Sequence, residues 1–94
     1  GANGQFLHWA YFWHLLFDSH VAEKRNLHKF QIVQRTPHTI VMRLVADPLS
    51  TEEIDFITSD VKKRLGNMEI TINYEKDIEN TKTGKYRPVI NELL

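Results

Sequence analysis

Ser50 to Gly66 is the stretch that most limits how this chain can fold. Ser50 followed by Glu53 has the form of a capping box, in which each side chain satisfies an unpaired backbone N–H of the other residue. Ile54, Ile57, Val61 and Leu65 recur at helical spacing, with Phe56 beside them. Glu52, Glu53 and Asp55 open the segment and Lys62, Lys63 and Arg64 close it, matching the helix dipole at both ends. Gly66 then stops the helix as a left-handed cap. Directly afterwards Met68 to Tyr74 alternates apolar and polar residues, the pattern of a half-buried strand. A one-sided helix running straight into a one-sided strand predicts layers of helix and sheet around a shared core.

The remaining segments supply the other parts of those layers. Leu27 to Thr36 alternates weakly, with Phe30, Ile32 and Val33 as inward candidates. Pro37-His38 breaks the pattern, and Thr39 to Ala46 resumes it with Ile40, Val41, Met42, Leu44 and Val45. Two such runs around a short proline turn predict an antiparallel hairpin, ended by Asp47-Pro48-Leu49. Trp9 to Phe17 predicts a helix with Trp9, Phe12, Trp13, Leu16 and Phe17 on one face, widened by Tyr11 and Leu15. A helix apolar over so wide an arc is buried or awaits a partner. Gln5 to His8 reads as a short strand, Asp18 to Asn26 as a connection, and Val89-Ile90 as a last short segment. The predicted fold class is α+β: a small ferredoxin-like domain with a mainly antiparallel sheet and two helices packed on one face.

With 94 residues the chain is a single domain, 1–94, large enough for one core. Twelve basic residues balance twelve acidic ones, which argues against nucleic acid as a partner because duplex binding draws on a basic face. There is no cysteine, hence no disulfide framework and no thiolate metal site; a reducing cytoplasm is compatible with this. Phe6 to Phe17 is interrupted by His8 and His14 and is too short to span a bilayer, so no membrane association is expected. The five histidines do not compose a metal motif. His8, His14 and His20 are six residues apart, a rotation of roughly 240° on a helix, so they share no face. No serine–histidine–acid order or paired-carboxylate spacing stands out. The first residue is Gly1, and the chain is read as a piece of something longer.

One polar stretch stands apart: Asn80-Thr81-Lys82-Thr83-Gly84-Lys85-Tyr86-Arg87. Gly84 allows a turn that a side chain would obstruct, and Lys85 follows it directly. Such a loop can carry one ammonium group towards a neighbouring site. With this stretch, the chain resembles the C-terminal domain of adenylate-forming enzymes, in the branch of phenylacetate–coenzyme A ligases and the CapK-type proteins of capsular polysaccharide biosynthesis. Asn3-Gly4-Gln5-Phe6-Leu7-His8, followed by Phe12, is similar to the family's segment past the interdomain hinge. Phe30-Gln31-Ile32-Val33-Gln34 is similar to its Phe-Gln-Val-Val-Gln strand. Thr81 to Arg87 resembles its terminal Arg-Thr-x-Ser-Gly-Lys-x-Arg motif, with Thr83 in place of serine and Asn80 where Arg or Pro is common. Trp9 departs from the glycine that follows the histidine in the first motif.

The resemblance implies a mobile C-terminal lid, excised from a longer enzyme and inactive alone. Lys85 matches the lysine that enters the active site during acyl-adenylate formation. Thr83, Gly84 and Arg87 match the substrate and nucleotide loop around it. No cofactor is expected on this piece; ATP with magnesium, and coenzyme A in many members, belong to the parent enzyme. The implied partner is the N-terminal adenylation domain of the same parent chain, with a homodimer through exposed aromatic surface as a further option. The alternative is a free-standing ferredoxin-like interaction or regulatory module that binds a partner or small ligand.

Overall fold

The computed structural model of the chain describes residues 9–79 and the strand at 89–91. In order these form α1 (Trp9–Phe17), α2 (Val21–Lys24), β1 (Lys29–Thr36), β2 (Thr39–Val45), α3 (Thr51–Leu65), β3 (Glu69–Tyr74) and β4 (Val89–Asn91). The strand expected over Gln5–His8 lies outside the described residues. Among the described residues the sheet has four strands in the order β3-β2-β1-β4.

β1 and β2 form the predicted antiparallel hairpin, with Phe30 opposite Leu44 and Ile32 opposite Met42. Its turn is held by the hydroxyls of Thr36 and Thr39, 2.8 Å apart, while Thr36 Oγ1 also accepts from the His38 backbone N–H at 3.1 Å. The ladder is irregular between Gln34 and Thr36, a β-bulge that takes up the proline turn.

α3 follows the sequence reading closely. Ser50 Oγ accepts from the Glu53 N–H at 3.1 Å, and Glu53 Oε1 accepts from the Ser50 N–H at 2.8 Å, so both halves of the capping box are made. Gly66 ends the helix at φ 86° and ψ −149°, a positive-φ conformation lying beyond the left-handed helical well and costly for any other residue.

Along each strand, alternate side chains point to opposite faces of the sheet. On one face Phe30, Ile32, Ile40, Met42 and Leu44 are buried against Phe12, Leu15 and Leu16 of α1 and Ile57 and Val61 of α3. Ile70 and Ile72 of β3 extend this layer. The expected α+β domain with two helices on one face is therefore present, and at that level a ferredoxin-like description is compatible with it.

The sheet is more mixed than a mainly antiparallel one, since β3 joins β2 in parallel and β4 joins β1 in parallel. The cause is connection geometry. A strand that returns through a packed helix re-enters beside its predecessor in the same direction, as β3 does after α3.

Two other segments depart from the sequence reading. The expected connection 18–26 contains the one-turn helix α2, entered through His20 at φ 68° and followed by Asn26 at φ 52°. Val21 and Ala22 anchor it in the core, an apolar pair too short to show any period. In α1 the buried stripe is Phe12, Leu15 and Leu16, while Trp9 and Phe17 are exposed and Trp13 is half-buried.

Candidate functional site

The four site residues expected from sequence, Thr83, Gly84, Lys85 and Arg87, lie outside the described residues. The described chain on either side locates where that stretch leaves and rejoins the fold. It rejoins as β4, in parallel register with β1: Ile32 with Val89, Val33 with Ile90 and Gln34 with Asn91. It leaves from the sheet face opposite the helices, where β1 and β2 hold residues 75–78.

β3 lies at one edge of the sheet and β4 at the other, so the chain after Tyr74 has to pass β2 and β1. The Glu75 N–H donates to the Leu44 carbonyl at 2.8 Å. Arg43, on β2, reaches Glu75 Oε2 through Nε at 3.3 Å and donates from Nη1 to Gln31 Oε1 at 2.6 Å. Lys29, on β1, lies 3.2 Å from Asp77 Oδ1 and donates to the Ile78 carbonyl at 3.2 Å. Ile78 itself is fully buried, as are nearly all of Gln31, Val33 and Val41. The Asp77 carboxyl is held below the usual carboxylate range, first by the Ile78 backbone and then by Lys29. Residues 75–78 thus form a strap across the second face, tied down by two cations.

The helical side carries other polar contacts. The half-buried Tyr11 side chain donates its hydroxyl to Asp60 Oδ2 at 2.7 Å, joining α1 to α3, with the Arg64 guanidinium 5.2 Å from the Tyr11 ring centre. Burial and then the Asp60 hydrogen bond push the Tyr11 phenol well above its ordinary value, with the Asp60 charge adding and Arg64 opposing. Arg25 Nε donates to Glu53 Oε1 at 2.7 Å, so the cap of α3 also holds the chain after α2. The Glu53 carboxyl is lowered, chiefly by the Ser50 backbone and then by Arg25.

On the outside of α1 the rings of Trp13 and Phe17 stack with centres 4.6 Å apart, and Trp9 lies 6.3 Å from Trp13. They border a groove of about 170 Å³ together with Leu27, His28 and Phe30. His14 pairs with Asp18 at 2.9 Å in solvent, and His20 lies 3.5 Å from Glu23. Among the described residues no three His, Cys, Asp or Glu side chains gather as a metal site. Nor is any helix among them long and apolar enough to cross a membrane.

Sequence reasoning missed the strap. Lys29, Gln31 and Arg43 occupy alternate positions that read as an ordinary solvated face. The available signal was two cations on one face of a hairpin, followed later by Glu75 and Asp77.

No curated protein and no solved structure matches the chain. A protein-family model described as the CapK C-terminal domain matches residues 13–92, which takes in the second half of α1, all of α3, the strap and β4. The chain belongs to the CapK C-terminal domain family.

Proposed function

We propose that this domain is the mobile C-terminal lid of an ATP-dependent, acyl-adenylate-forming enzyme and that it supplies one cation to an active site built mainly by another domain. A C-terminal domain implies a parent chain with a further domain, and an N-terminal adenylation domain is the partner proposed here. The observation that carries the reading is the family match over residues 13–92, which includes the Thr83-Gly84-Lys85-Tyr86-Arg87 motif.

In this reaction a carboxylate oxygen attacks the α-phosphorus of ATP, the bond to the β-phosphate oxygen breaks, and pyrophosphate leaves. The Lys85 ammonium would offset the charge that builds on the carboxylate and α-phosphate oxygens as these two anions meet. One well-placed donor in a water-poor site contributes about 2.7–4 kcal/mol to such a step. Thr83 and Gly84 keep the approach open, and Arg87 holds the loop or pairs with an acidic group. Transfer of the acyl group to a thiol such as coenzyme A, with loss of AMP, follows in the ligase reading. In this reading magnesium and the triphosphate are held by the other domain. The proposed enzyme is assigned to the cytoplasm, where ATP is supplied.

A second reading, an interaction module, draws on the exposed Trp9 and Phe17. It predicts self-association of the isolated chain or capture of a partner without nucleotide chemistry.

The test uses the full-length parent chain with ATP and a panel of acetate, benzoate and phenylacetate, read as pyrophosphate release. Turnover of one acid, and its loss by about 100-fold or more in Lys85→Ala, is the expected result. Unchanged release in Lys85→Ala removes the assigned role. Sedimentation of the 94-residue chain as a stable dimer favours the second reading.

A further inference from the structure

The chain has a topological problem to solve on the second face of its sheet. No helix packs there among the described residues; α1 and α3 share the other face. Yet the backbone has to cross from the β3 edge to the β4 edge over β2 and β1. A crossing segment is outside the strand ladder, so its path is set by what its side chains and a few backbone groups find beneath them. Here the attachments come in sequence: the Leu44 carbonyl and Arg43 hold Glu75, then Lys29 holds both Asp77 and the carbonyl of buried Ile78. Gln31, almost wholly buried, holds Arg43 from the other side at 2.6 Å.

We propose that Lys29 and Arg43 are positioning residues, which pin residues 75–78 across the second face and so fix the point from which the chain departs towards Lys85. This rests on the role given to Lys85 above. The chemistry supports positioning more than stability. Lys29 and Asp77 are 36% and 70% exposed, and exposed ion pairs contribute little to global stability. Arg43 and Glu75, at 33% and 29%, are better shielded. What such pairs do control is local opening of the segment they hold. A displacement of about 1 Å at a reacting group can cost up to about 100-fold in rate. Attachments that add little to folding can therefore weigh heavily on a lysine a few residues further along.

Two measurements decide it. On the 94-residue chain, Lys29→Met should raise amide exchange over residues 76–79 by up to about fivefold while exchange in α3 stays unchanged, and Lys29→Arg should restore protection. Unchanged exchange at 76–79, or a rise throughout the chain, overturns the anchoring. In the full-length parent, Lys29→Met and Arg43→Met should lower kcat for pyrophosphate release by about 10- to 100-fold, with KM for ATP within about twofold and rescue by Lys29→Arg. The acid is phenylacetate or whichever of the panel turns over. Faster exchange with unchanged kcat overturns the positioning role. Lys85→Ala separates the two ideas: if it leaves pyrophosphate release intact, or no acid turns over, the adenylation reading fails and the exchange measurement still decides the anchoring.

Discussion

The two faces of this sheet are held by different physics. Against α1 and α3, Phe30, Ile32, Ile40, Met42 and Leu44 make a continuous apolar layer whose energy comes from area removed from water. On the other face Val33 and Val41 are buried beside Lys29, Gln31 and Arg43, and the covering strap is tied by named hydrogen bonds and ion pairs. The apolar layer is non-directional and tolerant of small shifts. The polar face fixes where a backbone passes, because each contact is satisfied at one position only. On the function proposed above, the domain is both a stable body and a support for the segment that carries Lys85, and the two faces divide those tasks.

That contrast can be broken most sharply at the apolar layer. Phe12→Ala removes a fully buried ring between α1 and the sheet and should cost about 3–5 kcal/mol, read as a lower midpoint in urea with unfolding throughout the domain. Ile78→Ala removes a side chain just as buried on the second face. It should cost nearer the low end of the range for such truncations, about 2 kcal/mol, with the earliest exchange in the strap. Equal losses for the two would abolish the distinction between the faces.

Next comes Gly66→Ala, expected to cost about 1–3 kcal/mol through backbone strain alone. An added Cβ there meets no atom within 4 Å, so crowding contributes nothing. A neutral substitution would show that α3 can end in another conformation.

Smaller effects follow from titration. Tyr11 has a raised phenol pKa in the folded state, so its contribution is fully present below the ordinary value of 10.0 and is lost as the pH rises above it. Thermal unfolding followed above that pH should show an alkaline loss that Tyr11→Phe lacks. Asp77 and Glu53 have lowered carboxyl pKa values, so what they contribute is present above the ordinary carboxylate range and lost as pH falls through their folded values. Acid should therefore loosen the strap and the α3 cap. Exchange at 76–79 in Lys29→Met should lose most of its acid dependence, while the cap keeps its own.

The sequence reading succeeded where the signal was local. The capping box, the charge order along α3, the glycine stop and the hairpin turn all depend on residues within a few positions of one another, and each is present. The five apolar residues assigned to one face of α1 show the limit. Their spacing describes a wide arc, and nothing local says which part of it meets the sheet; the neighbours chose Phe12, Leu15 and Leu16 and left Trp9 and Phe17 outside. The strap was illegible for a related reason. Lys29 and Arg43 are separated in sequence from Asp77 and Glu75, and alternate polar residues on a strand look alike whether they face water or a crossing chain.

By itself, then, the amino-acid sequence determined the helix, the hairpin, the motif around Lys85 and the family to which they belong. Only the tertiary structure decided that β3 and β4 run parallel to their neighbours and that the second face carries a strap. Caps, turns and periodicities are set by short-range sterics and hydrogen bonding. Strand direction and the partner of a polar face depend instead on how distant parts of the chain return to one another.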